Sequence, residues 1–126
     1  MSKVLLVMIG GGLGAASRYG ATLLAVRFLG SSYPWGTLFA NLVGCLLIGI
    51  CFALAEFKGL LSPELRLFFV TGFLGGLTTF STYAMESVGF ARAGSLSMTL
   101  LNVSAHNLAG LALVLIGMAL VRALLP

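Results

Sequence analysis

The sequence predicts an all-α membrane protein of four transmembrane helices, the third of them broken by a run of Gly, Thr and Ser. Three observations carry this reading. Of 126 residues, 60% are hydrophobic and only 8% charged, with a mean hydropathy of +1.12; soluble domains are nearer half apolar and about a quarter charged. The stretches Trp35 to Ala55, Leu67 to Met85 and Ala93 to Val121 contain no charge, and each is near the roughly 20 residues that a bilayer span needs. The run TGFLGGLTTFST, residues 71–82, holds three glycines, four threonines and one serine, which weakens a helix while offering hydroxyls. The chain therefore reads as one transmembrane domain over 1–126, with spans near 3–29, 35–57, 63–92 and 95–123 and a break near 75–79. Four spans with short connections leave no room in it for a soluble domain.

Each span has its own pattern. The first carries Arg18 and Arg27 and sets Gly10 with Gly14, and Gly12 with Ala16 and Gly20, at four-residue spacing, which lets helix backbones approach closely. Lys3, the apolar run after it and the small residues Ala15, Ala16 and Ser17 resemble a cleavable signal; three further spans favour a retained helix. The connection GSSYP leads into Trp35, whose ring suits the headgroup boundary. In the second span Thr37, Asn41, Gly44 and Ile48 share one face, a narrow stripe suited to protein or water rather than lipid. Cys45 and Cys51 lie on different faces of that helix, which allows neither a local disulfide nor a chelate and makes them small packing residues.

The third span opens on a readable signal: Ser62 caps, Pro63 takes the first helical position and Glu64 complements the dipole. At 1.5 Å per residue its first 13 residues reach only about 20 Å, somewhat over half a bilayer. Glu86 and Arg92 follow before a turn at Gly94. The fourth span places Thr99, Asn102, His106 and Gly110 on one face, continued by Leu113 and Gly117.

The charge pattern excludes more than it assigns. A net charge of +4 and a pI near 9.6 come from seven scattered basic residues that form no nucleic-acid patch; such residues at span ends are ordinary. Four spans put Lys3, Lys58, Arg66 and Arg122 on the side of the termini, against Arg27 and Arg92 opposite. So small a bias leaves two readings open, one fixed orientation, or a chain that inserts both ways and pairs antiparallel with itself. One His, three Glu and no Asp form no motif for acid–base or nucleophilic work, so the chain does not read as an enzyme.

What remains is a set of uncharged hydrogen-bonding groups on spans two, three and four, a lining that favours conduction. Hydroxyls, the Asn amide, a histidine N–H and half-helix N-termini suit an anion. Carbonyls exposed at the break suit a hard cation such as Na⁺. Phe80 and Tyr83, three apart, either turn their electropositive ring edges to an anion or pack in the core. Arg18 either draws anions or is tied to carbonyls or to Glu86. Glu86 lies either in a vestibule or at a snorkelling helix end, and His106 is either a core histidine or a pathway group aligned with Asn102.

With these residues in place, the sequence resembles the Fluc (CrcB) family of bacterial fluoride channels. The resemblance covers the glycine-rich first span with Arg18, the WGTLFANLVG segment at 35–44 and, above all, TGFLGGLTTFSTY at 71–83. It implies an antiparallel, dual-topology homodimer in the bacterial cytoplasmic (inner) membrane, with two fluoride pores and a structural Na⁺ at the twofold axis. It implies that backbone carbonyls of Gly75 and Thr78 hold that Na⁺. It further implies that fluoride passes Asn41, Phe80, Ser81, Thr82, Tyr83, Asn102, His106 and Gly110, with Arg18, Thr37 and Glu86 in support. Two positions depart from the family pattern: Tyr83 stands where Phe is common, and Ala84 where Ser is often found. The activity implied is passive fluoride export that keeps cytoplasmic fluoride low. The main rival is a small dual-topology, proton-coupled exporter of cationic compounds, a class that wants an acidic residue in the first helix, where this chain has Arg18. A non-conducting assembly subunit would have no use for inward polar stripes on three spans.

Overall fold

Local sequence signals set where each helix begins and ends. The computed structural model describes residues 2–57 and 59–125, so Lys58, one of the basic residues counted at the span ends, lies outside the described residues. Helix α1 (Lys3–Leu29) starts at Ser2, whose hydroxyl accepts from the Leu5 amide at 3.3 Å. It stops at Gly30, whose φ of 81° lies in the left-handed region that glycine enters freely. Helix α2 (Trp35–Glu56) ends one residue before position 57. Helix α3 (residues 63–77) is opened by Ser62, which accepts from the Leu65 amide at 3.2 Å, with Pro63 in the first turn. From Leu67 to Leu74 its turns widen to the π type.

Helical backbone then ceases for two residues. Thr78 (φ −81°, ψ 156°) and Thr79 (φ −152°, ψ 107°) are extended. Helix α4 (Phe80–Arg92) restarts on the Thr79 hydroxyl, which accepts from the Thr82 amide at 3.3 Å. Helix α5 (Leu96–Leu124) contains a second π-type stretch at Ala105–Ala109 and begins and ends one residue later than 95–123. Every regular element among the described residues is helical. Four stretches, Lys3–Leu29, Trp35–Glu56, Pro63–Arg92 and Leu96–Leu124, are long and apolar enough to cross a membrane, which makes the chain a multi-pass membrane protein.

Packing follows from small residues rather than from large interlocking side chains. Helix α1 lies against α3, and α2 against the C-terminal half of α5. A Cβ on Gly14 would collide with the Phe73 carbonyl oxygen, and one on Gly49 with that of Val114. At both crossings backbone rests on backbone, the close approach by which helices associate where no hydrophobic effect drives them together. The small buried core joins Ala40 to Leu74 and Leu77, flanked by Leu47, Phe69 and Phe73. Leu13, Leu23, Leu111 and Leu115 are more than half exposed, as side chains bathed in lipid should be.

Substitution should separate contact glycines from free ones. Gly14→Val forces α1 away from α3 and should cost about 1–3 kcal/mol, the usual range for overpacking. Gly12→Ala has nothing within 4 Å of its added carbon and should leave stability unchanged. Thermal unfolding in detergent, followed by monodisperse elution, reads the difference.

Candidate functional site

An interrupted helix inside a membrane leaves backbone groups that must find partners within the protein. Asn41 on α2 supplies two. Its Nδ2 donates to the Thr79 carbonyl at 3.1 Å, and its Oδ1 accepts from the Thr79 amide at 2.7 Å. One amide side chain thus pairs with both polar groups of a single extended residue. The Thr79 amide, which a continuous helix would give to the Gly75 carbonyl, is spent on Asn41. The Thr82 amide, which would go to the Thr78 carbonyl, is spent on Thr79 Oγ1. Around this capping hydroxyl Thr82 Oγ1 lies at 2.9 Å and Ser81 Oγ at 3.4 Å.

Beside the break lies a cavity of about 400 Å³ lined by residues of α2, α3, α4 and α5. Asn41, Phe80, Tyr83 and His106, four residues singled out from the sequence, meet there, together with Gly75 and Thr78. Phe80 is 78% exposed and so is not a core residue of the single chain; its ring meets that of the buried Tyr83 edge-on at 5.4 Å. The Tyr83 ring in turn lies 4.4 Å from the His106 ring. His106 Nδ1 sits 3.0 Å from the Asn102 carbonyl. A carbonyl only accepts, so Nδ1 carries the proton, and Nε2 of a neutral ring is a bare acceptor. Nε2 is buried without a protein partner. The histidine N–H expected as a donor to an anion is therefore already spent.

Other candidates stand apart from this cavity. Asn102 is fully buried: its Oδ1 accepts from Tyr33 Oη at 2.8 Å, and its Nδ2 donates to Ser87 Oγ at 3.0 Å. Ser87 passes its own proton to the Tyr83 carbonyl at 2.9 Å. Gly110 is buried against Cys45. Thr37 donates to Glu86 Oε1 at 2.6 Å, beside a second cavity of about 120 Å³ that Thr22 and Tyr33 also line. Glu86 Oε2 has no protein partner, and the space beside it suffices for water. Burial, and after it the charge of Glu86, holds the Tyr33 phenol above its ordinary pKa, so it serves as a neutral donor.

The pairing of Arg18 with Glu86, one of the arrangements foreseen, is not made: Thr37 has taken one carboxylate oxygen, while Arg18 Nε and Glu86 Oε2 are each buried without a partner. The shorter and uncharged Thr37 already stands on the neighbouring helix at hydrogen-bond distance. Three contributors were not foreseen: Tyr33 in the first connection, Ser87 on α4, and Asn107, which donates to Tyr83 Oη at 2.9 Å. The first two carried no periodic signal. Asn107 is displaced from the face of His106 in an ideal α-helix, and the π-type turn at Ala105–Ala109 brings both to Tyr83.

The family model described as CrcB-like protein, Camphor Resistance (CrcB), matches residues 5–118. The chain belongs to the CrcB family. This CrcB chain is 50% identical over 117 residues to a Salinibacter ruber protein named Fluoride-specific ion channel FluC, covering 93% of this chain and 87% of the relative. Proteins of the same name from Maridesulfovibrio salexigens and Parabacteroides distasonis are 39% and 42% identical, over 97% and 95% of this chain and 97% and 93% of the relatives.

The Asn41 bracket is testable in this CrcB chain without any transport assay. Asn41→Leu leaves the Thr79 N–H unpaired and strips the Thr79 C=O of its bond from the side chain, and an unpaired buried group costs about 1–3 kcal/mol. Hydrogen exchange at the Thr79 amide should accelerate at least about tenfold, with a matching loss of thermal stability. Unchanged exchange would show that Asn41 does not hold the break.

Proposed function

We propose that this protein is a passive, fluoride-selective channel that exports cytoplasmic fluoride across the bacterial inner membrane. The observation that carries the reading is the match to relatives named as fluoride-specific ion channels, at 39–50% identity over nearly the whole chain. Relatives so named are channels, not enzymes, and transport is the reading for this chain as well. The chemistry of the cavity supports it. Fluoride surrenders hydration only to strong donors, and hydrogen bonds to a charged partner contribute about 1.5–3 kcal/mol each. Tyr83 supplies such a hydroxyl on the cavity wall, and Ser81 and Thr82, which do not line the cavity, add theirs at the start of α4, where the helix dipole is positive. Their number is small, so the ion is held but also released. The ring edges of Phe80 and Tyr83 add electropositive walls.

A second copy of the chain fits this reading. Phe80 is exposed and the cavity is open, so an antiparallel partner in a dual-topology homodimer would close it. The break also suits a structural Na⁺. The carbonyls of Gly75 and Thr78 have lost their usual helical donors to Asn41 and Thr79, and both residues line the cavity. Uncharged oxygens of this kind suit a hard monovalent cation. Among the described residues no cluster of His, Cys, Asp or Glu offers an alternative metal site. Gly75 and Thr78 of each copy would hold the ion, which supplies a fixed positive charge and ties the two breaks together.

Three experiments test the proposal. In proteoliposomes loaded with fluoride, a potassium ionophore should start rapid efflux, with chloride efflux slower by orders of magnitude; slow leakage or equal chloride flux would overturn the channel reading. Phe80→Ile should abolish fluoride efflux while the protein elutes unchanged, and unaltered efflux would return Phe80 to a packing role. For the cation, prolonged dialysis against a Na⁺-free buffer should remove activity, and added Na⁺ should restore it.

A further inference from the structure

We infer that Asn107 is a positioning residue that fixes the direction of the Tyr83 hydroxyl, so that its proton points away from α5 and is free to donate to an anion in the cavity. The inference rests on the fluoride-pathway reading and assigns to that pathway a residue outside the stripes read from the sequence. Its first step is the orientation of the amide. Asn107 Nδ2 lies 2.8 Å from the Val103 carbonyl oxygen. That oxygen can only accept, so the nitrogen and not the oxygen of the amide must face it. The same nitrogen lies 2.9 Å from Tyr83 Oη. An amide nitrogen donates and does not accept, so the Tyr83 oxygen is the acceptor and must send its own proton elsewhere.

The alternatives for that proton are few. A phenolic O–H prefers the plane of its ring, which leaves two orientations, and Asn107 occupies the side of one. Among the described residues Tyr83 makes no other side-chain hydrogen bond, and both it and Asn107 line the 400 Å³ cavity. The His106 ring lies 4.4 Å from the Tyr83 ring and tilted to it by 32°, its Nε2 accepts from no protein group, and its own Nδ1 proton is engaged by Asn102. The Asn41 amide, the other polar group on this wall, is committed to Thr79. Tyr83 O–H is therefore the uncommitted donor where α2, α4 and α5 face the cavity. The π-type turn at Ala105–Ala109 makes the arrangement possible by delivering His106 to the ring and Asn107 to the oxygen of one tyrosine.

A double-mutant cycle on fluoride efflux tests this, with Tyr83→Phe, Asn107→Leu and the two combined. Leu has the same branching as Asn and as many side-chain heavy atoms, and it keeps the helix. Each single variant should slow efflux by about tenfold, the factor that one charge-assisted hydrogen bond makes, and the double variant should be no slower than Tyr83→Phe alone. A merely structural role of Asn107 would instead give losses that multiply. Multiplying losses, or an Asn107→Leu protein that conducts like the wild type, overturn the inference while leaving the channel reading intact. A wild-type protein that conducts no fluoride overturns both. If Asn107→Leu fails to elute as the wild type does, Asn107→Ala completes the cycle under the same criteria.

Discussion

Asn41 and Thr79 form the contact on which the rest of the molecule depends. A helix that stops in mid-membrane exposes an amide and a carbonyl in a medium with no water to satisfy them. The chain answers with one side chain of the right shape, since a carboxamide carries a donor and an acceptor side by side, as a neighbouring strand would. Asp at 41 could not donate to the Thr79 carbonyl, and Leu could do neither. Because Asn41 sits on α2, the break in the third span is fixed to a different helix and not only to its own. The bond from the Thr79 amide to Asn41 sets the Gly75 carbonyl free, and the hydroxyl cap that restarts α4 does the same for the Thr78 carbonyl.

Backbone contact makes that bond geometrically possible. Gly14 brings α1 onto α3 and Gly49 brings α2 onto α5 with no side chain between them, so the helices are positioned by main-chain surfaces that cannot change rotamer. Gly44 does the same on a smaller scale: a Cβ there would strike the methyl group of Thr78, one turn from Asn41. The stripe Asn41, Gly44 and Ile48 therefore has two purposes, to hold the break and to let it come close.

Much of this was legible in the sequence, and what was not had physical reasons. The four spans follow from hydropathy alone, and the Ser62–Pro63 start of α3 from capping chemistry. The composition of residues 71–82 located the weak helix within a few residues of Thr78 and Thr79, because glycine and threonine lower helix stability whatever the tertiary context. A shared helix face does not reveal what a polar side chain touches, however. Asn102 and His106 fall on one face of α5, yet Asn102 is closed in a buried network with Tyr33 and Ser87, while His106 reaches the cavity. Tyr33 was invisible to periodicity since it lies in a connection. Asn107 was hidden because a π-type turn departs from the 3.6-residue repeat on which face assignments rest.

The distinction that matters for conduction is between hydrogen-bond donors already spent on structure and those left over. Counted by residue type, the proposed pathway looks rich in donors: Asn41, Asn102, His106, Asn107 and several hydroxyls. Counted by proton, it is sparse. The Asn41 amide closes the break, that of Asn102 serves Ser87, the Nδ1 proton of His106 faces a carbonyl, and Asn107 gives its two protons to Val103 and Tyr83. A passage needs this sparseness, because a cavity lined by many free donors would hold a small anion too tightly to release it. The structural bonds thus do two things at once. They satisfy a backbone and a set of side chains that the membrane would otherwise leave stranded, and on the proposed pathway they reduce the donors left for an ion to a few hydroxyls.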